Sequence, residues 1–150
     1  MRALLQRVSE AGVVISNQEV ASIHKGYVIF VGIEDEDEKD DIAWLSKKIT
    51  LLRVFSDEGG KMNLDIKDVN GEIIIVSQFT LHAKTKKGNR PSYIKAAKPE
   101  IAIPIYEDFK KQLTLDLGRE IQSGEFGADM KVRLVNDGPV TIWLDTKNKV

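Results

Sequence analysis

Ile73-Ile74-Ile75-Val76 is an unbroken β-branched run, set between the turn signal Asn70-Gly71 and the polar stretch Ser77-Gln78-Phe79-Thr80-Leu81. Such a run is too short and too rich in β-branched residues for a helix, and it reads as a strand held largely out of water. Residues 72–81 together form the most strand-like segment of the chain, and Tyr27 to Ile33 is a second apolar run that suits a buried strand. Two other stretches have helical spacing. Ile42, Leu45, Ile49 and Leu52 fall on one stripe with Lys47 and Lys48 off it, and Asp37 or a neighbour is the expected cap. Ala102, Ile105, Tyr106, Phe109 and Leu113 form the second stripe, with Pro104 marking either its start or a bend.

Arg2–Val8, Gly12–Ile15, Glu19–Ile23, Arg53–Ser56 and Glu120–Ser123 read as further strands. Lys131–Val135 and Val140–Leu144 read as two strands about a tight turn at Asn136-Asp137-Gly138-Pro139. Strands, helix, strands, helix, strands, with many turn signals between them, predict an α+β fold. The expectation is a mostly antiparallel, curled, barrel-like sheet with two main helices, in a single domain spanning residues 1–150.

Several kinds of chemistry are excluded early. The chain has no cysteine, which removes disulfides, thiolate nucleophiles, cysteine-bound zinc and iron–sulfur clusters, and which suits a reducing compartment. No apolar run approaches the roughly 20 residues of a membrane span. The first ten residues alternate like a strand rather than forming a signal peptide, so a cytoplasmic protein without membrane contact is expected. His24 and His82 lack ligand-spaced partners, so no metal is expected, and both read as surface or partly packed residues. Gly59-Gly60 is not followed by the Lys-Ser or Lys-Thr of a phosphate loop, and no Gly-x-Ser-x-Gly elbow is present. No cofactor is expected.

Charge is segregated along the chain. Glu34 to Asp41 holds seven acids in eight residues, as suits the entry of a helix, whose positive dipole end lies there. From Ile73 to Pro99 there is no acid, and Lys84, Lys86, Lys87, Arg90, Lys95 and Lys98 supply six cations. This segment can attract phosphates even though the net charge is −1, or it can be an ordinary solvated loop.

Two short motifs remain. Ser77-Gln78-Phe79-Thr80-Leu81 turns an apolar strand polar where the basic segment begins. It is either a strand leaving the core or a place where unpaired main-chain N–H groups can hold an oxyanion, with the hydroxyls and the amide orienting a substrate. Gly138-Pro139 is either a plain hairpin turn or a special one, since X-Pro bonds can be cis.

Taken together, these motifs give the chain a resemblance to the D-aminoacyl-tRNA deacylases over nearly its whole length. The residues that carry it are the opening Met1–Ser9, Gly59-Gly60-Lys61-Met62-Asn63, Ser77–Leu81, Lys87-Gly88-Asn89-Arg90-Pro91-Ser92, Phe126–Met130 and Asn136–Thr141. The resemblance implies an editing hydrolase that cleaves the ester of D-aminoacyl-tRNAs, and of glycine misplaced on alanine tRNA, while rejecting L-aminoacyl-tRNAs. It implies a homodimer in which a cis Gly138-Pro139 of one subunit enters the pocket of the other, its carbonyls gripping the substrate α-amino group. The amides of Phe79 and Thr80 would serve the oxyanion, with Ser77 and Gln78 positioning the ester. Phe126 and Met130 would line the pocket for the terminal adenosine, and Lys84, Lys86, Lys87 and Arg90 would meet tRNA phosphates. Thr80 is the obvious nucleophile by residue type, yet no base is evident for it, and water assisted by the neighbouring ribose hydroxyl is the preferred attacking group. Two other readings fit less: a non-catalytic RNA-binding module, and a hydrolase of free D-amino-acid esters.

Overall fold

The computed structural model describes residues 1–150. Its longest early element, β1 (Arg2–Ile15), runs unbroken through the stretch expected to be two strands. It can do so because it has partners along its whole length. Antiparallel to it lie β3 (Gly26–Gly32) along its first half, β2 (Gln18–Ile23) along its second, and β8 (Lys131–Asp145) along both on the opposite edge. Ser16 and Asn17 take φ of 50° and 63°, the left-handed pair that a two-residue hairpin between right-twisted strands requires.

Beyond β3 the pairing becomes parallel. Strand β6 (Glu72–Ser77) lies parallel to β3, and the short β7 (Gln122–Ser123) lies parallel to β6. The Gln122 side chain then bonds the N–H and the C=O of Ser22 in β2, at 2.7 Å each. This brings the two ends of the order β2-β1-β3-β6-β7 together, so the sheet is curled almost into a barrel. A small ribbon, β4 (Phe55–Ser56) with β5 (Met62–Leu64), stands apart from it.

The continuous apolar runs are explained by burial on both faces of the sheet. Tyr27, Ile29, Val31, Ile73 and Ile75 join the larger core under the helices, whereas Val28, Ile74 and Val76 join a second cluster inside the curl with Val8, Val13 and Ile23. Helices α1 (Lys39–Leu51) and α2 (Pro99–Leu117) cover the first face side by side. From α1 come Ile42, Leu45 and Ile49; from α2 come Ala102, Tyr106, Phe109 and Leu113, with Ile105 half-buried beside them. Pro99 takes the first position of α2, where a missing N–H costs nothing, and Pro104 falls one turn further in.

The acidic run does cap α1, though through Glu38 rather than Asp37. The Glu38 N–H donates to Asp41 Oδ2 at 2.9 Å in a reciprocal box. Burial alone would raise the Asp41 carboxyl, but hydrogen bonds led by that from Lys147 hold it down at about 2. Asp37 is instead buried, accepting the Glu34 N–H at 2.8 Å and the Met1 ammonium. No helix is long and apolar enough to cross a membrane.

Candidate active site

Strand β6 ends at Ser77, four residues short of the expected end. Gln78 still gives its N–H to Val31 O at 2.7 Å, but its ψ of 78° turns the chain out of the sheet, and Phe79–His82 form a single 3₁₀ turn. The alternation of faces that a strand reaching Leu81 would have therefore stops at Ser77. Two features seat the turn. Gly32 leaves room beneath it, since a Cβ there would stand 2.9 Å from both Gln78 O and His82 Cδ2. Arg2 holds its far end, donating from Nη1 to Leu81 O at 3.0 Å while its Nε bonds Asp145 Oδ2 at 3.0 Å.

The consequence for the main chain is specific. The N–H groups of Leu81 and Ala83 find carbonyls within the turn, but those of Phe79 and Thr80 donate to no protein acceptor. Adjacent unpaired N–H groups of this kind, in a site walled by apolar side chains, can stabilise a developing oxyanion. Ser77, Gln78 and Phe79 line an open cleft of about 320 Å³. Its other walls come from Val31 and Ile33 at the end of β3, Ala97 and Ala102 at the start of α2, and the segment from Phe126 to Met130. Phe126 is braced edge-on against buried Tyr106, with ring centroids 5.7 Å apart. Thus Ser77, Gln78 and Phe79 of the first motif converge with the Phe126 and Met130 candidates on one cleft, though they are about 50 residues apart in sequence, while Thr80 and Leu81 are not among its lining residues. Ala97, Ala102, Ala128 and Val132 line it as well and were missed, because an alanine or valine on an otherwise apolar face carries no chemical signature.

Thr80 has one side-chain partner, the Gln78 amide, which donates to its Oγ1. A donor cannot accept the hydroxyl proton, so nothing here activates Thr80 as a nucleophile. His82 does not serve either. It is fully buried, contrary to the expected surface or partly packed position, and neither ring nitrogen has a hydrogen-bond partner. His24 is exposed on the opposite approach to β3. No serine–histidine pair exists.

Gly138 and Pro139 do not line the cleft. The expected hairpin is also absent: β8 is one strand, both halves of which pair with β1. Gln6 faces Thr141 and Val8 faces Asn136, so residues 137–140 bulge out opposite Arg7 alone. Asn136 closes the neck, its Nδ2 donating to Arg7 O at 2.9 Å and to Val140 O at 3.0 Å, while Thr141 Oγ1 donates to Asn136 Oδ1 at 3.1 Å. Gly138 and Pro139 form the exposed tip, joined by a cis peptide bond.

Arg7 supports this bulge from within. Alternation along β1 puts it on the helix-covered face with Ala3 and Leu5, and it is 8% exposed. Its Nε donates to Asp137 O at 3.1 Å and its Nη1 to Val54 O, with the Asp137 carboxylate 3.6 Å away. Arg7→Met keeps the aliphatic stem but leaves the buried Val54 carbonyl unpaired. The expected cost is about 2 kcal/mol of stability, read as a shifted urea midpoint; an unchanged midpoint would mean that the guanidinium is not what holds the bulge.

Lys84, Lys86, Lys87 and Arg90 are all exposed, on a loop closed at its base by paired hydrogen bonds between Lys84 and Ser92. None of the four has a salt-bridge partner.

The family model described as D-Tyr-tRNA(Tyr) deacylase matches residues 4–145 of this chain. The chain belongs to that family. It is 63% identical over 149 residues to the D-aminoacyl-tRNA deacylase of Flavobacterium psychrophilum, covering 99% of each chain. The protein of the same name from Bacteroides thetaiotaomicron is also 63% identical over 99% of each chain. Among solved structures, one described as c-Myc DNA Unwinding Element Binding Protein is 39% identical, with a TM-score of 0.89 over 97% of this chain and 98% of that one. A second, described as a probable eukaryotic D-amino acid tRNA deacylase, has a TM-score of 0.81 at 16% identity over 95% of this chain and 97% of that one, and shares the fold. The matched residues span both the Ser77–Leu81 segment and the Gly138-Pro139 bulge.

Proposed function

We propose that the chain is an editing hydrolase that splits the ester between a D-amino acid and the 3′-terminal ribose of tRNA. The observation that carries this reading is the pair of free main-chain N–H groups, Phe79 and Thr80, beside a cleft and next to an unpaired basic loop. Water adds to the ester carbonyl, the carbonyl oxygen gathers negative charge against the two amides, and the bond to the ribose oxygen then breaks. Free amino acid and tRNA leave. The neighbouring ribose hydroxyl assists the water, while Ser77 and Gln78 orient the ester. Thr80 takes part through its N–H, with its hydroxyl in a supporting place.

The second motif enters from a second copy of the chain. Gly138 and Pro139 are exposed and outside their own cleft, and β8, which carries them, has no partner within the chain on its outer edge. In a homodimer the Gly138-Pro139 carbonyls of one subunit would grip the substrate α-amino group in the other and leave no space for an L side chain. Selectivity then comes from exclusion. Glycine has no side chain to exclude, so glycyl-tRNA(Ala) is a further substrate. Phe126 and Met130 hold the terminal adenosine, and Lys84, Lys86, Lys87 and Arg90 meet the phosphates. The enzyme works in the cytoplasm, beside its tRNA substrates. A protein that only bound nucleic acid would use the basic loop but would leave the two amides without a task.

Matched D- and L-tyrosyl-tRNA and a free D-tyrosine ester separate the readings. The expected result is turnover of the D-tyrosyl-tRNA, little of the L form or the free ester, and activity within a few-fold of wild type for Thr80→Ala. No turnover of any substrate would favour the binding module, equal turnover of both enantiomers would remove the gate, and a trapped acyl-Thr80 would replace water as the nucleophile.

A further inference from the structure

The geometry points to a nucleobase-stacking subsite at the rim of the cleft, formed by Phe79 and Tyr93, that takes the cytidine preceding the terminal adenosine of the tRNA. This rests on the hydrolase reading and extends it along the substrate. Phe79 lines the cleft and is nevertheless 55% exposed. Tyr93 is 38% exposed, and the two rings meet nearly at right angles, 76°, with centroids 5.0 Å apart. They form an open corner in which a flat base can lie on one ring with its edge against the other.

An exposed aromatic pair is costly to leave in water without use. Ile94, 81% exposed, widens the apolar surface. Its position argues for a single-stranded polyanion rather than another protein. Tyr93 directly follows Ser92, whose paired bonds with Lys84 (2.8 and 3.1 Å) close the basic loop and bring the chain back beside the 3₁₀ turn. The corner therefore lies between the cleft and the cations of residues 84–98, none of which is neutralised by an acid. Stacking surfaces flanked by backbone-reading cations are how proteins hold unpaired nucleotides of any sequence. With the adenosine inside the cleft, the next base in the chain is the one that reaches the rim.

Two substrates test this: D-tyrosyl-tRNA, and D-tyrosyl-adenosine, which lacks the cytidine. Tyr93→Ala is expected to raise KM for the tRNA about 10-fold at unchanged kcat, and to leave turnover of the adenosine ester as in wild type. Tyr93→Phe, which keeps the ring, should restore the wild-type KM. An equal rise in KM on both substrates would place Tyr93 in the adenosine pocket, and no change on either would leave the corner without a ligand; each overturns the subsite. A change in oligomeric mass on sedimentation of Tyr93→Ala would also overturn it, making the rings a subunit contact. Failure of the wild type to hydrolyse either ester would instead overturn the hydrolase reading itself.

Discussion

Gly138→Ala is expected to reduce kcat/KM for D-tyrosyl-tRNA about 100-fold while the protein remains folded. Gly138 has φ of +124°, outside the range that L side chains readily take. An added Cβ would stand 2.9 Å from both Arg7 Nη2 and Val140 Cγ2 and 3.1 Å from the Val140 nitrogen. Arg7 is itself held by Asp137 O and Val54 O, so it cannot retreat without giving up hydrogen bonds. The tip of the bulge must move instead. A displacement on the order of 1 Å in a group that positions substrate costs about two orders of magnitude in rate. The strand on either side keeps its pairing with β1, and Asn136 still closes the neck, so the loss should appear in activity far more than in stability. Steady-state rates on D- and L-tyrosyl-tRNA, with a urea melt as control, read both. Unaltered rates and selectivity would return residues 137–140 to an ordinary surface bulge.

Both helices, the two buried strands and the polar end of β6 were legible in the sequence, since hydrophobic period and turn residues report local structure directly. What pairs with what was less so. Asn136-Asp137-Gly138-Pro139 has the composition of a hairpin turn, but the two flanking segments both pair with β1, and only tertiary structure shows this. The same holds for Arg2–Ile15, which a gap of weaker strand formers at Ser9 and Glu10 divides in sequence but which three partner strands keep continuous. An arginine in a strand carries no local sign of burial; the place of Arg7 on the helix-covered face follows from alternation with Ala3 and Leu5.

The candidate site was legible as motifs and not as geometry. Ser77–Leu81 stands out in the sequence as a polar motif but reads as a strand to its end, and the break at Gln78 that frees two amides depends on Gly32 and Arg2, distant in sequence. The burial of His82 likewise follows from the turn lying over Gly32, which no local pattern encodes.

Replacing the amide between Phe79 and Thr80 with an ester, by putting the hydroxy acid analogue of threonine at position 80, removes one N–H and keeps every side chain. If these main-chain donors carry the catalysis, kcat for D-tyrosyl-tRNA falls by about 10²–10³-fold, whereas Thr80→Ala stays within a few-fold of wild type. An ester variant that turns over at the wild-type rate would contradict the assignment, most plainly if Thr80→Ala were the variant found inactive.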